Sequence, residues 1–436
     1  MKWPFRHLFI LLAAPVLWGC TRTIVPDIPT PEHPEWEYGR IPAACEGLPR
    51  VYIYIPGQGS IDSKREWTQN VSIRIEATVN GDTVEVYRSD SLKIKGHGNT
   101  TWESYPKKPY SLKLKHKVNF LGTGKTSRWI LLANWMDRTH LRNDVAFEAA
   151  RRTKMEWAPS GTFVKLFLNG DSPFDYQGLY WLGERIHVEG SNFLADYLYS
   201  YDTSDPEEVD MLTLYGRRRN DATDGEIPVE LKYPDRDQYS AAEFQAILSQ
   251  AETVLHDFET SLYKPDEWQK GIDLDSFCDW FLVNELCYNL EPAYPKSSFF
   301  YYRDGKMFAG PVWDFDWGTF TWDDEGASYY NLNLRPAIYY HQLCPQPAFV
   351  KRLKERWKSL KPQFTSLTTY IDQRADLIRE EDDNYLWPCY PNPLSEEESG
   401  LVNFDENLSF DEAVQLMKKN LLLRIGALDT AIRNLQ

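Results

Sequence analysis

The stretch Pro311-Val312-Trp313-Asp314-Phe315-Asp316-Trp317-Gly318 places two carboxylates two residues apart within an aromatic frame. In extended backbone this spacing points both side chains to the same side. Mg²⁺ prefers carboxylate oxygen and leaves coordination positions for substrate phosphate, so Asp314 and Asp316 are candidate ligands for a hard divalent cation. Asp-x-Asp pairs are also common in solvated turns, and the motif therefore needs support from the rest of the chain.

The first nineteen residues have the order of an export signal. Two basic residues precede an apolar run over 8–17, and Leu17-Trp18-Gly19-Cys20 follows. This order is typical of a cleaved leader. The cysteine after a small residue resembles a bacterial lipobox, which implies cleavage before Cys20 and lipidation of that residue. We expect a tether over 20–45 and a protein held by lipid in the cell envelope, on the outer membrane, at its periplasmic or surface face.

Charge and cysteine content exclude several classes of protein. The formal net charge is −16, so the chain would repel nucleic acid at long range, and no nucleic-acid partner is expected. Six cysteines are present, but none forms a CxxC motif or a zinc-binding spacing. The sequence therefore predicts neither a disulfide framework nor a zinc site.

Hydrophobic periodicity divides the chain into a β-rich part and a helix-rich part. Period-two alternation predicts a small antiparallel sheet between Val51 and Lys117, with two further strands at 162–168 and 178–182. Helical patterns follow at Ala241–Tyr263, Leu274–Tyr288, Ala348–Gln363, Ser366–Arg379 and Phe410–Leu435, interrupted by a hairpin over Ser298–Val312. We predict an α+β fold over 46–436, with a first lobe at about 46–190 and a second at about 225–436.

One segment of the β-rich part has the composition of a phosphate-binding loop. It reads Gly96-His97-Gly98-Asn99-Thr100-Thr101-Trp102 and is followed by Lys107-Lys108-Pro109-Tyr110-Ser111-Leu112-Lys113. Glycines permit close backbone approach, and hydroxyls and lysines donate to phosphate oxygens. The alternative is a tight β-turn beside a solvated row of lysines.

Two further motifs lie between this loop and the acidic pair. In Leu131-Leu132-Ala133-Asn134-Trp135-Met136-Asp137-Arg138-Thr139-His140-Leu141-Arg142-Asn143, Asp137 is a natural helix N-cap, and Arg142 and Asn143 stand where a helix start favours anions. In Gly178-Leu179-Tyr180-Trp181-Leu182-Gly183-Glu184, the carboxylate of Glu184 either pairs with a lysine of the sheet or is an ordinary exposed group.

Taken in order, these motifs, together with Phe167-Leu168-Asn169-Gly170 and the acidic pair, resemble the CotH family, named after spore-coat protein H. The resemblance extends from about Leu92 to Gly318. It implies an atypical protein-kinase-like fold with two lobes, a β-rich N-lobe and a helix-rich C-lobe. It also implies that ATP and Mg²⁺ bind in the cleft between the lobes.

The resemblance also implies roles for individual residues. Asn99, Lys108 and Lys113 are expected to contact the cofactor, the two lysines through the nucleotide phosphates. Glu184 is expected to orient a lysine or the metal. Asp314 would be the metal-binding aspartate, with Asp316 as a second ligand or a structural partner.

The expected catalytic base departs from the family pattern. Glu291 occupies the position at which many relatives carry aspartate. A side chain one methylene longer either displaces the substrate hydroxyl or still serves as a general base. Lys296 is expected to neutralise the transferred phosphate, and the alternative is that it caps the preceding helix.

Two functions of different classes follow from these observations. The leading hypothesis is a lipid-anchored atypical kinase that uses ATP and Mg²⁺ to phosphorylate Ser or Thr hydroxyls of exported protein, or a hydroxyl of glycan. The alternative is a catalytically weak or inactive kinase-like scaffold that binds protein or carbohydrate at the cell surface. A metal-dependent hydrolase has less support, because no His-rich metal cluster accompanies the acidic pair.

Overall fold

The computed structural model describes residues 38–188, 193–201, 213–216, 227–321, 327–381, 405 and 408–436. Within this part of the chain, the residues from Tyr38 onward belong to one compact unit. The predicted leader, Cys20 and the first part of the predicted tether lie outside the described residues. The lipid anchor is therefore still a prediction.

The first seven strands close into a barrel. They are β1 Arg50–Tyr54, β2 Thr68–Val79, β3 Asp82–Gly96, β4 Tyr110–Val118, β5 Thr126–Leu132, β6 Gly161–Leu168 and β7 Tyr176–Glu184, in the order β1-β2-β3-β4-β5-β7-β6. Parallel pairing of β1 with β6, in which Val51 faces Leu166, closes the ring. The predicted small antiparallel sheet is therefore part of a closed barrel. The sequence did not indicate this closure, because the two strands that close the ring are more than 100 residues apart.

Period-two alternation gives the barrel two apolar faces. One set of side chains fills its interior, including Ile73, Ile94, Leu112, Trp129 and Leu182. On β5, β6 and β7, outward-facing Ile130, Phe163, Leu179 and Trp181 are instead part of the core shared with the helices. The outer face of these strands is therefore a packing surface for the second half of the chain.

The second half is built on a five-stranded sheet. Its strands are β8 Tyr197–Tyr201, β9 Thr213–Gly216, β10 Ile227–Tyr233, β11 Ser298–Arg303 and β12 Lys306–Ala309, in the order β12-β11-β8-β10-β9. The predicted hairpin through Arg303-Asp304-Gly305-Lys306 is confirmed as β11 and β12. The sequence did not predict β8, which pairs with β11 on one side and β10 on the other.

Eight helices lie in the described part of the chain. They are α1 Thr100–Ser104, α2 Arg142–Arg151, α3 Ala241–Ser261, α4 Leu274–Cys287, α5 Tyr340–Leu343, α6 Pro347–Thr365, α7 Leu367–Ile378 and α8 Phe410–Asn434. Capping boxes begin α3 at Ser240 and α8 at Ser409. Every residue of α4 from Ser276 to Cys287 is buried, which makes it the central helix. Among the described helices, none combines the length and apolar character needed to cross a membrane.

A buried arginine fixes the C-terminal helix to the central one. Arg424 of α8 donates from Nη2 to Oε2 of Glu285 at 2.6 Å and from Nε to the Glu285 carbonyl at 2.7 Å. It also donates to the carbonyl of Asn331 at 3.1 Å. Four residues earlier, Asn420 Nδ2 donates to the carbonyl of Phe320 at 3.0 Å. Helix α8 thus supports the segment that follows the acidic pair.

We predict that Arg424→Met destabilises the protein by about 3–5 kcal/mol, because it leaves the buried carboxylate of Glu285 without its partner. Chemical denaturation of the full chain measures the free energy of unfolding. Arg433→Met on the same helix is the control: Arg433 is exposed, pairs with Asp429 at 2.7 Å and should contribute less than about 1 kcal/mol. Equal losses of unfolding free energy in the two variants would contradict a stabilising role for the buried Arg424–Glu285 pair.

Candidate functional site

A buried ion pair fixes the start of α2. The carboxylate of Asp137 accepts the backbone N–H of Arg142, the first residue of the helix, at 2.7 Å. The Arg142 guanidinium also donates to Asp137, to Oδ2 of Asp405 at 2.7 Å and to the carbonyl of Thr319 at 2.8 Å. One side chain therefore connects the helix start to the segment that follows the acidic pair.

The neighbouring Asn143 holds the acidic segment itself. Its Oδ1 accepts the backbone N–H of Phe315 at 2.7 Å, between the two aspartates. The rings of Trp313 and Phe315 both pack on Phe147 of α2, with centroids 5.5 and 6.1 Å away. The acidic segment is thus fixed to α2 by one hydrogen bond and two aromatic contacts.

The acidic pair is formed by a turn and not by extended backbone. Asp314 has a φ of +66°, in the left-handed region that non-glycine residues rarely occupy. The turn forms because Asn289 Nδ2 donates to the Asp314 carbonyl at 3.4 Å while Asn143 holds the next residue. The expectation of an extended segment is wrong here. The expected proximity of the carboxyl groups is nevertheless present, since the pKa of Asp316 is raised by burial and then by the charge of Asp314.

A third carboxyl group belongs to the same site. Glu291 lies in the 3-10 turn Glu291–Ala293, which follows α4. Its Oε2 is buried and has no hydrogen-bond partner among the residues that the structure describes. Burial, followed by the charges of Asp314 and Asp316, raises the pKa of Glu291 well above its usual value. The positive charge of Lys296, whose backbone N–H donates to the Glu291 carbonyl at 3.2 Å, opposes that rise.

Asp316 experiences the same crowding of negative charge. Burial raises its pKa well above the usual range, and the charges of Asp314 and Asp137 raise it further. Carboxyl groups this close require either a shared proton or a cation. The site therefore has an electrostatic demand for positive charge.

The donor set of the acidic segment fits Mg²⁺. The carboxylate oxygens of Asp314 and Asp316 and the hydroxyl oxygen of Ser297 are of the kind that hard divalent cations prefer. Within the described ranges, no cluster of three His, Cys, Asp or Glu side chains has the geometry of a complete metal site. One or two carboxylates completed by water and phosphate oxygens is the usual arrangement for Mg²⁺ at phosphate-processing sites.

A group of basic side chains lies on the outer surface of the barrel. We call it the cationic face and define it as Lys93 and Lys95 on β3, Lys113 on β4, Arg128 on β5, and Arg185 after β7. Strand register places these residues side by side, because Lys93 pairs with Lys113 and Lys113 with Arg128. The Arg185 backbone N–H donates to the Arg128 carbonyl at 3.2 Å.

Much of the charge of the cationic face is not neutralised by the protein. Arg128 pairs with Asp235 at 3.5 Å, but the side chains of Lys95, Lys113 and Arg185 form no ion pair or hydrogen bond with the residues that the structure describes. Burial and the neighbouring cations lower the pKa of Lys95 to about 8 and that of Arg185 to about 10. A bound anion would relieve this repulsion.

The loop between β3 and β4 joins the cationic face to the acidic segment. His97 follows Lys95 by two residues, and its ring meets that of Trp313 edge-on at 6.2 Å. Its Nδ1 lies 3.2 Å from Ser111 Oγ, and burial lowers its pKa to about 3, so the imidazole is neutral. At the other end of the loop, burial and then the charge of Asp316 raise the pKa of Tyr105. The positive and negative groups therefore lie beside the same loop.

The structure divides the residues expected to contact the cofactor. Lys113 belongs to the cationic face, whereas Lys108 donates to the carbonyl of Trp102 in α1. Asn99 accepts from Lys64 Nζ at 3.2 Å. Glu184 is buried and accepts from Thr123 at 2.8 Å, and no pairing with a lysine is present in the described part of the chain. Their roles toward a cofactor are still predictions.

Sequence reasoning missed three groups that the structure brings to the site. Lys95 had a signal, because alternation along β3 places it on the face that carries Lys113 in the neighbouring strand. Arg185 and Ser297 had none, since each reaches the site only through tertiary packing. Ser297 Oγ donates to Asp314 Oδ2 at 3.1 Å.

Fold and site together define an α+β protein with a seven-stranded barrel, a helix-rich half, a row of basic side chains on the barrel and a cluster of carboxyl groups after α4 and β12. The CotH kinase protein family matches residues 93–404, most of the chain, and the protein belongs to that family. The resemblance inferred from the motifs is thereby confirmed. A comparison with curated proteins found no matching relative.

We predict that Lys95 is the lysine most readily labelled by pyridoxal 5′-phosphate at pH 7.5. With a pKa of about 8, roughly a quarter of its amine is neutral and can form an imine, against well under 1% for an ordinary lysine. Borohydride reduction and peptide mass spectrometry identify the labelled site. Inorganic triphosphate should protect it, and Lys95→Arg should lose the fast label. Uniform labelling of exposed lysines would contradict the prediction.

Proposed function

We propose that this chain is a phosphotransferase that moves the γ-phosphoryl group of ATP, with Mg²⁺, to a Ser or Thr hydroxyl of an exported protein or to a hydroxyl of glycan. The observation that carries the proposal is the contact between His97 and Trp313, through which the cationic face adjoins the carboxylates of Asp314 and Asp316. Membership of the CotH kinase protein family supports it.

In this proposal each half of the protein has a different role in phosphoryl transfer. The barrel corresponds to the N-lobe, and its cationic face binds the polyphosphate through Lys95, Lys113 and Arg185. The helical half corresponds to the C-lobe and carries the carboxylates. Phosphoryl transfer depends mainly on positioning and charge neutralisation, which is what groups of opposite charge on either side of one loop provide.

Asp314 and Asp316 would hold the divalent cation. When bound, Mg²⁺ would supply positive charge that neutralises the negative charge developing on the phosphoryl group during transfer. The chain contributes the fixed geometry: Asn143 and Asn289 hold the backbone on either side of the first carboxylate, and Arg142 anchors the segment beyond. This preorganisation means that little rearrangement is needed when substrate binds.

Glu291 would accept the proton of the attacking hydroxyl. Its buried Oε2 has no hydrogen-bond partner among the described residues, and a cation held by Asp314 and Asp316 would favour the ionised carboxylate that accepts this proton. Lys296, in the same loop, would neutralise the product phosphate. Export, lipidation of Cys20 and location in the cell envelope complete the proposal and rest on the sequence alone.

A second candidate function is a kinase-like scaffold without catalysis. It is favoured by exposed aromatic rings on the segments that carry the carboxylates: Tyr294 is 63% exposed and Trp317 is 48% exposed. Aromatic faces of this kind stack on sugar rings or on protein side chains. The glutamate in place of the aspartate expected in the family points in the same direction.

We predict that the purified mature chain transfers radiolabel from ATP to itself or to Ser/Thr peptides, and that Asp314→Asn reduces the rate by at least about a hundredfold through loss of charge at the cation site. Asparagine tolerates the positive φ at this position. Asp304→Asn is a matched control, since Asp304 also has a positive φ of +51° but is fully exposed in the β11–β12 turn.

The same experiment separates the two candidate functions. Absence of transfer to any acceptor, together with absence of a nucleotide-dependent shift in melting temperature, would reject the kinase. Binding of glycan or protein that is unaffected by Asp314→Asn would then support the scaffold.

We also predict that Lys95→Met and Arg185→Met each weaken binding of a non-hydrolysable ATP analogue by about tenfold or more, because each removes a cation that forms no ion pair with the described residues. The increase in melting temperature with ligand concentration measures this affinity. Lys115→Met, at the exposed end of the same row of β4, should bind like the wild type. If both Lys95→Met and Arg185→Met bound the ATP analogue as tightly as the wild type, the phosphates would not bind at the cationic face.

A further inference from the structure

Ser297 occupies a constrained position between two fixed elements. It is the last residue before β11, whose first residue, Ser298, pairs with Tyr201 of β8. On its other side, the Lys296 N–H donates to the Glu291 carbonyl at 3.2 Å and closes the preceding turn. Between these elements Ser297 has a φ of +47°, a left-handed conformation that is unfavourable for a non-glycine residue.

The side chain of Ser297 is fixed on one carboxyl group of the site. Its Oγ donates to Asp314 Oδ2 at 3.1 Å. The same side chain lies near Glu291, six positions earlier in the chain, where it opposes the rise in the Glu291 pKa that burial and the charges of Asp314 and Asp316 cause. Ser297 is thus a neutral group beside two carboxyl groups that would otherwise repel each other.

The two residues joined by this hydrogen bond are both strained. Ser297 and Asp314 have φ values of +47° and +66°, and each is a non-glycine residue in the left-handed region. Such conformations are unfavourable and persist where the surrounding structure determines them. Two of them in direct contact, within a cluster of carboxyl groups, indicate that a particular placement of the Asp314 carboxylate is maintained at a cost in stability.

We propose that Ser297 is a positioning residue of the site: its hydroxyl fixes the Asp314 carboxylate relative to Glu291 and so sets the affinity for the divalent cation. This inference rests on the proposed function in that Asp314 is taken as a cation ligand. Hydrogen-bond partners of ligating carboxylates orient them, and their loss typically weakens metal affinity by about 10–100-fold.

Three substitutions separate the hydroxyl from the backbone strain. Ser297→Ala removes the donor and leaves the strain. Ser297→Gly removes the donor and relieves the strain, because glycine adopts positive φ readily. Ser297→Asn supplies an amide donor and tolerates the left-handed conformation. Ser298→Ala is the matched control: it deletes the neighbouring hydroxyl, which donates to the carbonyl of Lys296 at 2.9 Å and not to a carboxylate.

The measurement is calorimetric titration of the full chain with Mn²⁺ in the presence of a non-hydrolysable ATP analogue, together with the melting temperature of each variant without ligand. Ser297→Ala and Ser297→Gly should both weaken Mn²⁺ binding by about tenfold or more, although the glycine variant melts no lower than the wild type. Ser297→Asn should restore affinity to within about threefold of the wild type, and Ser298→Ala should leave it unchanged.

Wild-type Mn²⁺ affinity in Ser297→Gly would overturn the inference, because it would assign the residue to backbone conformation alone. Absence of Mn²⁺ binding by the wild type would overturn both this inference and the proposed function. If the affinities follow the expected order but no acceptor is phosphorylated, the positioning role of Ser297 stands and only the proposed phosphotransfer fails.

Discussion

The buried guanidinium of Arg142 is the interaction on which the site depends. It donates to Asp137 in the turn before α2, to Asp405 near the start of α8, and to the carbonyl of Thr319 after the acidic pair. Removing a charge of this kind from water is costly, and only complete pairing and hydrogen bonding offset that cost. Because its partners come from three separate parts of the chain, Arg142 joins the site only when all three are in place, which couples folding of the site to folding of the whole unit.

The two halves of the protein carry concentrations of opposite charge, and the two are complementary. The cationic face lowers the pKa of Lys95 by crowding and burial, while the acidic segment raises the pKa of Glu291 and Asp316 for the same reasons with the opposite sign. Each group alone is an unfavourable concentration of like charge. In the proposed function, a ligand that combines phosphate oxygens with a divalent cation would relieve both concentrations of charge.

Local sequence patterns were sufficient to predict the helices and strands, but not to predict that the strands close into a barrel. The helical pattern predicted the first residue of α3 and placed its end two residues too late, and alternation identified the barrel strands. Barrel closure through β1 and β6 was not predictable in this way, because parallel pairing between distant strands has no local signature. In the site, spacing identified Asp314 and Asp316, but the left-handed backbone at Asp314 arises from the distant Asn143 and Asn289.

The closed barrel has a consequence for where the independently folding unit begins and ends. The residues that match the family start within β3 and stop before α8, yet β1 and β2 complete the ring and α8 carries Arg424. A fragment cut at the matched residues would expose unsatisfied backbone N–H and C=O groups along β3 and β6, and exposed strand edges of this kind recruit other chains. The residues that match the family therefore include the site, whereas the solubility of the folded unit depends on flanking segments outside the match.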